Sequence, residues 1–396
     1  MYDSNVSRRE FLRYLSLTTL GTLGGGILNG CRERPPASAK LTNIRFYGTG
    51  TLDILDDGWA VLARDQKVGL VFTDNGNDVG PVIAQMIAGT ASRDYHLGGL
   101  QGGAERELAG SGVILPWDLK KIPNWATMWP MARSIPYTLV NGEQFGLPLA
   151  LNADSMIYLP DKIKGVQGYE SGVVDSYFAV FDERLRGRTS MEDAWINSVI
   201  FTAIYLKENG LKTIGNPGNL TESELREVMT FLMELKRAGQ FRKFWRGWEQ
   251  GVDLLASGEV WVMTGWEPIV YELRRKNVNA EYAVPKEGYE GWSNDLLLHV
   301  GTASEGLIEA AHVTANWLFD GYYGCKLATL RGYAVPNDST TSFAESGHNF
   351  DARQVRDLAN HVRTKFGTGG GEAYWQNVRP DNYRLYEEWW SRLRNA

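Results

Sequence analysis

The sequence predicts an α/β protein built from two lobes. From residue 41 onwards, short apolar runs typical of strands alternate with helical segments, and this alternation indicates a mostly parallel sheet covered by helices on both faces. The chain of 396 residues is also longer than one hydrophobic core usually supports. Because ligand sites favour domain interfaces and the carboxyl ends of parallel strands, we expect a ligand cleft between the lobes.

The first predicted lobe opens with strands and helices in alternation. The expected strands are residues 44–47, 68–72 and 95–97. The expected helices that follow them are residues 52–63, 79–87 and 104–108. Residues 145–151 then form an apolar extended segment, which we expect to lead out of this lobe.

The rest of the chain is richer in predicted helices. They are residues 191–208, 222–237, 307–319 and 383–394, and a shorter helix ends at residue 256. Thr221 stands where a side-chain cap would begin the helix at 222–237. Two extended runs, residues 258–263 and 282–285, separate these helices.

The first thirty residues resemble a bacterial export signal. Arg8 and Arg9 precede an uncharged, Gly-rich stretch, which is the layout of a twin-arginine signal peptide in residues 1–30. The stretch ends at Cys31, which we expect to carry the lipid anchor of the mature protein. Residues 31–40 are then predicted to be a tether.

Composition and motifs argue against several functional classes. The formal net charge of −6, without a basic run, disfavours nucleic-acid binding. The sequence lacks the motifs of serine hydrolases, P-loop proteins and zinc peptidases, and its five histidines match no zinc spacing. We therefore expect no enzyme, no cofactor and no metal. Paired carboxylates in a cleft leave no such motif, so a cleft-type hydrolase is the enzymatic alternative.

Five motifs in series resemble the spermidine/putrescine-binding proteins of ABC importers. They are residues 255–260 leading to Gly265-Trp266, residues 284–288 followed by Trp292, and residues 332–337, 375–377 and 386–390. Their order and spacing hold from residue 41 to the C-terminus. The resemblance implies a type II periplasmic-binding-protein fold. Lobe one is then expected at residues 41–149 plus 294–342, and lobe two at residues 153–288 plus 343–396.

The resemblance also implies a set of ligand-binding residues. Members of this family hold the methylene chain of a polyamine between aromatic rings and its ammonium ends on carboxylates, which suits the attraction of a cation to a ring face. Trp266, Trp292 and Tyr333 fall on aromatic positions of that pocket. Gln376 falls on a polar contact, and Asp193 lies near a carboxylate position.

Other positions depart from the family pattern. Asn294 stands where the family has a carboxylate, and Ile196 replaces a second acid. Thr49, Asn75 and Gln101 are candidate polar contacts in the loops of the first lobe. Because a buried ammonium group without a partner is costly, the sequence leaves open a polyamine, a shorter amine, a zwitterion or another small ligand.

These observations predict a periplasmic, lipid-anchored binding protein. We expect it to capture a small-molecule ligand as a monomer and to deliver the ligand to the permease subunits of an ABC importer in the inner membrane. Its contact with the membrane would be made through the N-terminal lipid. A ligand-binding sensor component would share the same closing motion, so the sequence alone leaves this alternative open.

Overall fold

The computed structural model describes residues 41–76, 78–367 and 373–396. Leu41–Ala396 form one compact unit. The predicted signal peptide, Cys31 and the tether lie outside the described residues, so their assignment stays a prediction. None of the helices formed by the described residues combines the length and the apolar character required to cross a membrane.

The strands lie mainly in one large sheet. They are β1 (Thr42–Gly48), β2 (Val68–Asp74), β3 (Leu97–Gln101), β4 (Ile114–Leu115), β5 (Leu139–Val140), β6 (Glu143–Gln144), β7 (Gly146–Tyr158), β8 (Thr189–Glu192), β9 (Phe241–Trp245), β10 (Val262–Gly265), β11 (Glu281–Tyr282), β12 (Tyr289–His299) and β13 (Ala373–Trp375). The main order is β2-β1-β3-β12-β7-β10-β8-β9. Strands β4 and β13 also pair with β12, β11 pairs with β7, and β5 and β6 form a separate ribbon.

The helices connect these strands and pack against them. They are α1 (Gly58–Gln66), α2 (Val79–Ala88), α3 (Glu105–Gly110), α4 (Pro130–Arg133), α5 (Pro160–Ile163), α6 (Phe178–Phe181), α7 (Trp195–Glu208), α8 (Glu222–Arg237), α9 (Gly247–Ala256), α10 (Pro268–Arg275), α11 (Val300–Ser304), α12 (Ile308–Leu318), α13 (Tyr322–Arg331), α14 (Asp338–Glu345), α15 (Ala352–Thr364) and α16 (Tyr383–Asn395). The α/β prediction is therefore confirmed.

The prediction of a mostly parallel sheet is correct only away from the centre. Strand β1 pairs in parallel with β2 and β3, and β8 pairs in parallel with β9 and β10. The two long strands β7 and β12 are antiparallel to each other, and both also pair antiparallel with their other main neighbours. The sheet is mixed because the chain crosses its centre twice in opposite directions.

Two large hydrophobic clusters lie on different parts of this sheet. The first core cluster takes side chains from β1, the start of β7, β12, α12, α13 and α15. The second core cluster takes side chains from the end of β7, α7, α8, β10 and α16. Every residue of β7 and of β12 is buried, as expected for strands that pass through the interior. The division into lobes at the predicted boundaries stays a prediction.

Several predicted elements start elsewhere in the structure. The helix expected at 52–63 begins only at Gly58, because Leu52 and Ile54 are buried in the first core cluster ahead of it. The helix expected at 191–208 begins at Trp195, because β8 continues to Glu192 and pairs with β9. The predictions for α8, α12 and α16 are confirmed to within one residue at each end.

Strand β3 overlaps the predicted strand at 95–97 only at Leu97 and continues to Gln101 through two glycines. A Cβ atom at Gly98 would lie 2.3 Å from the His299 ring, and one at Gly99 would lie 2.7 Å from the Leu52 side chain. Glycine is required at both positions because the packing around the strand is so close. The glycines therefore mark a crowded strand.

Helix α8 begins with a complete capping box. The Thr221 hydroxyl accepts a hydrogen bond from the backbone N–H of Glu224, and the Glu224 carboxylate accepts one from the backbone N–H of Thr221 at 2.7 Å. We predict that Thr221→Ala lowers the free energy of unfolding by about 1 kcal/mol in urea denaturation. Thr221→Ser keeps the hydroxyl and should stay within about 0.5 kcal/mol of the wild type. An equal loss in both variants would contradict the cap.

Candidate functional site

The antiparallel pairing of β7 and β12 gathers polar side chains on one face of the sheet. Glu290 lies opposite Asp154, and Trp292 lies opposite Asn152. Because side chains alternate along a strand, Glu290, Trp292 and Asn294 point to the same side. All five residues are buried, with exposures of 7% or less. Polar side chains are rarely buried to this extent for packing alone, so this row is a candidate binding site.

Asp154 is the centre of this group. Its Oδ2 accepts a hydrogen bond from the Trp292 indole at 2.9 Å, and its Oδ1 lies 3.4 Å from the Tyr282 hydroxyl. That hydroxyl also lies 3.0 Å from the carbonyl oxygen of Gly265, where β10 ends. The end of β10, just before Trp266, is thereby held beside Asp154.

A chain of hydrogen bonds joins two further carboxylates. The Gln376 amide donates to Glu290 Oε1 at 2.8 Å and to the side-chain oxygen of Asn197. The Asn197 amide in turn donates to Glu192. Glu192 ends β8 and Asn197 lies in the first turns of α7, so this chain links the second core cluster to β12.

Burial changes the ionisation of all three acids. Burial raises the pKa of Asp154 to about 7, while the nearby charge of Lys365 opposes the shift. Burial raises the pKa of Glu192 to about 8, and the Asp154 carboxylate adds to this effect. Burial and the Asp154 carboxylate also raise the pKa of Glu290 well above its usual value. Around neutral pH the group therefore carries less negative charge than three ordinary carboxylates would.

Lys365 is a buried cation beside these acids, and all three donors of its ammonium group have partners. Its ammonium group donates to Glu267 Oε2 at 2.8 Å, to the Ala153 carbonyl at 2.9 Å and to Asn152 Oδ1 at 3.0 Å. His361 lies 2.7 Å from the other Glu267 oxygen. Although burial opposes ionisation of Glu267, these two partners lower its pKa to about 2. The pair Lys365–Glu267 is internally neutral, so its effect on Asp154 is small: the Lys365 charge lowers the pKa of Asp154 and the Glu267 charge raises it.

Neutral polar groups surround the opposite end of the row. The Asn294 amide donates to the Thr51 hydroxyl at 2.8 Å, and that hydroxyl lies 2.6 Å from the hydroxyl of Thr49. Gln101, at the end of β3, lies directly opposite Asn294 in the sheet. The candidate polar contacts Thr49, Gln101 and Asn294 are thus brought together. Asn75 lies nearby, because its amide donates to the carbonyl of Gly99 in β3.

Aromatic rings occupy the middle of the row. Trp292 and Tyr333 meet edge to face, with ring centroids 5.2 Å apart. Trp266 is partly buried and packs edge to face against Trp245, with centroids 5.0 Å apart. Trp292, Tyr333 and Gln376 therefore join the group around Asp154. Trp266 is held beside it by the end of β10.

Asp193 lies apart from this group. Its Oδ1 accepts hydrogen bonds from the Trp390 indole at 2.9 Å and from Arg394 at 2.7 Å, and its Oδ2 accepts one from Arg246 at 2.6 Å. These partners tie α16 to the loop after β8. The acid that turns towards the site is the preceding residue, Glu192.

Buried oxygen atoms without a hydrogen-bond partner mark the part of the site that is available to a ligand. Among the described residues these include Glu290 Oε2, Gln376 Oε1 and Asn294 Oδ1, each in a residue at most 3% exposed. The amide oxygens of Gln376 and Asn294 are acceptors, and so is Glu290 Oε2 when its carboxyl group is ionised, so the three atoms suit a ligand that donates hydrogen bonds. The described residues hold no cluster of three or more acidic, histidine or cysteine side chains arranged for a metal ion.

The sequence analysis missed Asp154, Glu192, Glu290 and Lys365. A partial signal exists for the first of them, since Asp154 is the only acid in a strand that is otherwise apolar except for Asn152 and Ser155. Acidic residues are almost never fully buried unless they have a partner or a function. Strand β12 gives no such signal for Glu290, because it contains several other polar residues, among them Asn294 and Asp295. Lys365 gives no such signal, because a lysine at the end of a helix is ordinarily solvated.

Comparison with known families identifies one matching group. The sequence model of the bacterial extracellular solute-binding proteins matches residues 83–348. The putrescine-binding periplasmic protein PotF of Escherichia coli strain K12 is 25% identical over 193 residues. This alignment covers 46% of the chain and spans about half the length of the curated relative.

Solved structures show the same fold. The spermidine/putrescine ABC transporter substrate-binding protein PotD of Streptococcus pneumoniae superposes with a TM-score of 0.68 at 11% identity, covering 89% of this chain and 99% of that one. The TpPotD lipoprotein of Treponema pallidum superposes with a TM-score of 0.65 at 16% identity, covering 89% of this chain and 100% of that one. At such identities the likeness concerns the fold.

The raised pKa values predict a pH-dependent stability. A buried acid whose pKa is raised on folding binds its proton more tightly in the folded state, so its stabilising effect is complete below about pH 4 and is lost as the pH rises towards 8. We predict that the free energy of unfolding of the ligand-free protein falls between about pH 5 and pH 8.5, and that Glu192→Gln makes this fall shallower. Urea denaturation across this range measures both. The exposed Glu183→Gln is the matched control, and a fall unchanged by Glu192→Gln would contradict the assignment.

Proposed function

Because this chain belongs to the family of bacterial extracellular solute-binding proteins, we propose that it is the substrate-binding component of an ABC importer and that its ligand is a small amine, either a polyamine or a related amine. The family and the fold are those of transport proteins. PotF is a putrescine-binding protein and PotD is a spermidine/putrescine substrate-binding protein, and the same chemistry is proposed for this chain.

The observation that carries the proposal is the buried acidic group of Asp154, Glu192 and Glu290. Three carboxyl groups share this space, and Lys365 beside them is already paired with Glu267. An ammonium group would supply the missing positive charge and the donors that Glu290 Oε2 calls for. In this proposal, acids from these other positions take the place of the acids that the family pattern has at 196 and 294.

The aromatic residues suit the remainder of such a ligand. The rings of Trp292 and Tyr333 offer faces to the methylene groups and a cation–π contribution of about 0.5–2 kcal/mol. We propose that the lobes close on the ligand about the hinge segments 150–153 and 285–294. Segment 150–153 lies in β7 and segment 285–294 leads into β12, and these are the two strands that pass through the centre of the sheet, which supports this proposal.

The cellular context is proposed from the N-terminal residues. We propose export through the twin-arginine route by the signal at Arg8 and Arg9, cleavage before Cys31, and attachment of lipid at Cys31. The protein would then work as a periplasmic monomer held at the membrane beside its permease. The TpPotD neighbour is a lipoprotein of the same fold, which is consistent with this arrangement.

Calorimetric titration of the purified protein tests the proposed ligand. Putrescine, spermidine and 5-aminopentanoate should give saturable binding, whereas sorbitol and sulfate, which lack an ammonium group, should not. Affinity should rise from pH 6 to pH 8.5, because Asp154 and Glu192 lose protons with pKa values of about 7 and about 8. Protons are therefore released on binding, and titrations in buffers of different ionisation enthalpy will show this release.

The variant Asp154→Asn removes the charge of the side chain and keeps its size and shape. Loss of the charge should weaken amine binding at least about tenfold, the expected effect of losing a charge-assisted hydrogen bond. Asp357→Asn, on the exposed side of α15, is the matched control and should bind as the wild type does. Saturable binding of sorbitol or sulfate with no binding of any amine would refute the proposal.

A second experiment tests export and anchoring in cells. Changing Arg8 and Arg9 to Lys should leave the protein in the cytoplasm, because the twin-arginine pair is the recognition signal. Cys31→Ala should allow export but release the protein from the membrane fraction, because no residue can then carry the lipid. Cys325→Ala, which removes the buried cysteine, is the control. Unchanged export with the Lys pair would refute the route.

A further inference from the structure

Arg331 occupies a special position beside the aromatic residues of the site. It is the last residue of α13, and Gly332 follows it in the left-handed conformation with φ of 70°. This turn directs Tyr333 onto the ring of Trp292. Arg331 is therefore fixed two residues before Tyr333, a side chain of the site.

The charge of Arg331 acts on two tyrosines, one of which contacts the loop that carries the neutral polar groups. Burial raises the pKa of Tyr323 and of Tyr333, and the positive charge of Arg331 opposes the shift in both. The Tyr323 hydroxyl donates to the carbonyl oxygen of Leu52 at 2.8 Å. Leu52 follows Thr51, whose hydroxyl accepts the hydrogen bond from Asn294. Tyr323, on which the charge of Arg331 acts, is thus hydrogen-bonded to the loop that carries the neutral polar groups.

Arg331 has no carboxylate partner in the part of the chain that the structure describes. Its side chain is partly buried, and its Nε atom is fully buried without a hydrogen bond. Asp53 also acts on Tyr323, but its carboxylate accepts a hydrogen bond from the Trp59 indole at 3.1 Å and forms no ion pair with Arg331 there. Its guanidinium group, which has no anionic partner among the described residues, is well shaped to take a carboxylate with two parallel hydrogen bonds.

Lys365, the buried cation beside the acids, is not available to bind a carboxylate of the ligand. The ammonium group of a lysine has three donors. Those of Lys365 are taken by Glu267, the Ala153 carbonyl and Asn152. An anionic group of a ligand would therefore be attracted to Arg331. The site then has an acidic end, an aromatic middle and a basic end.

We propose that the ligand is an amine that also carries a carboxylate, with its ammonium group on Asp154 and Glu290, its methylene chain on Trp292 and Tyr333, and its carboxylate on Arg331. A linear ω-amino acid has this chemistry. The inference rests on the proposed function and narrows it, because Arg331 would repel the second ammonium group of a diamine. Asn294 and Thr51 would add neutral hydrogen-bonding groups at the carboxylate end.

Two probes that differ only in the carboxylate test this proposal. Calorimetric titration compares 5-aminopentanoate with pentylamine, which has a methyl group in place of the carboxylate. The wild type should bind 5-aminopentanoate at least about tenfold more tightly, as expected for a charge-assisted pair. Arg331→Gln should remove this difference. Arg353→Gln, an arginine whose side chain is 84% exposed on α15, is the matched control and should keep it.

The possible outcomes separate this inference from the proposed function. Equal affinity for the two probes in the wild type, or a difference that persists in Arg331→Gln, overturns the inference. If putrescine then binds saturably, the amine function stands without it. Failure of every amine to bind overturns both. Thermal unfolding checks that Arg331→Gln is folded. Should that variant fail to fold, Arg331→Lys keeps the charge and removes the planar fork, and it should show a reduced preference for 5-aminopentanoate, whereas an undiminished preference overturns the inference.

Discussion

The antiparallel pairing of β7 with β12 is the constraint on which the rest of the structure depends. Strand β7 contributes side chains to both core clusters, and its partner β12 forms the other half of the sheet centre. The same pairing sets Glu290 opposite Asp154 and Asn294 opposite Gln101. A shift of one residue in this pairing would turn every side chain of one strand to the opposite face of the sheet, and the site would be lost. Fold and site are therefore specified by one register.

Burying the acids on this face costs free energy, and two features of the structure reduce this cost. Lys365 and Glu267 neutralise each other within hydrogen-bond distance, so one ion pair is permanent. The remaining carboxyl groups keep protons up to neutral pH, since burial raises their pKa values. Breaking a buried pair by removing one partner typically costs 3–5 kcal/mol. These acids therefore suit the proposed function, in which the ligand supplies the positive charge.

Much of the fold could be predicted from the sequence, and less of the site. The capping box at Thr221 is local, and α16 is amphipathic, so neither needs tertiary information. The limits of β3 and α1 depend on packing around Gly98 and Leu52, which are distant in sequence from their contacts. The resemblance identified Trp292, Tyr333 and Gln376, and the structure brings them together. Glu192 and Glu290 could not be found this way, because their importance comes from Asn197 and Gln376, which lie far along the chain.

The order of side chains along β12 gives the site two chemically different ends. Glu290, Trp292 and Asn294 share a face, with about 6.6 Å between successive members at the usual rise of a strand. An acid, an aromatic ring and an amide therefore follow one another along a line. A ligand with identical ends would leave either the acidic or the neutral end imperfectly matched, and specificity comes largely from such mismatches. The fixed direction of β12 thus favours a ligand whose two ends differ in charge.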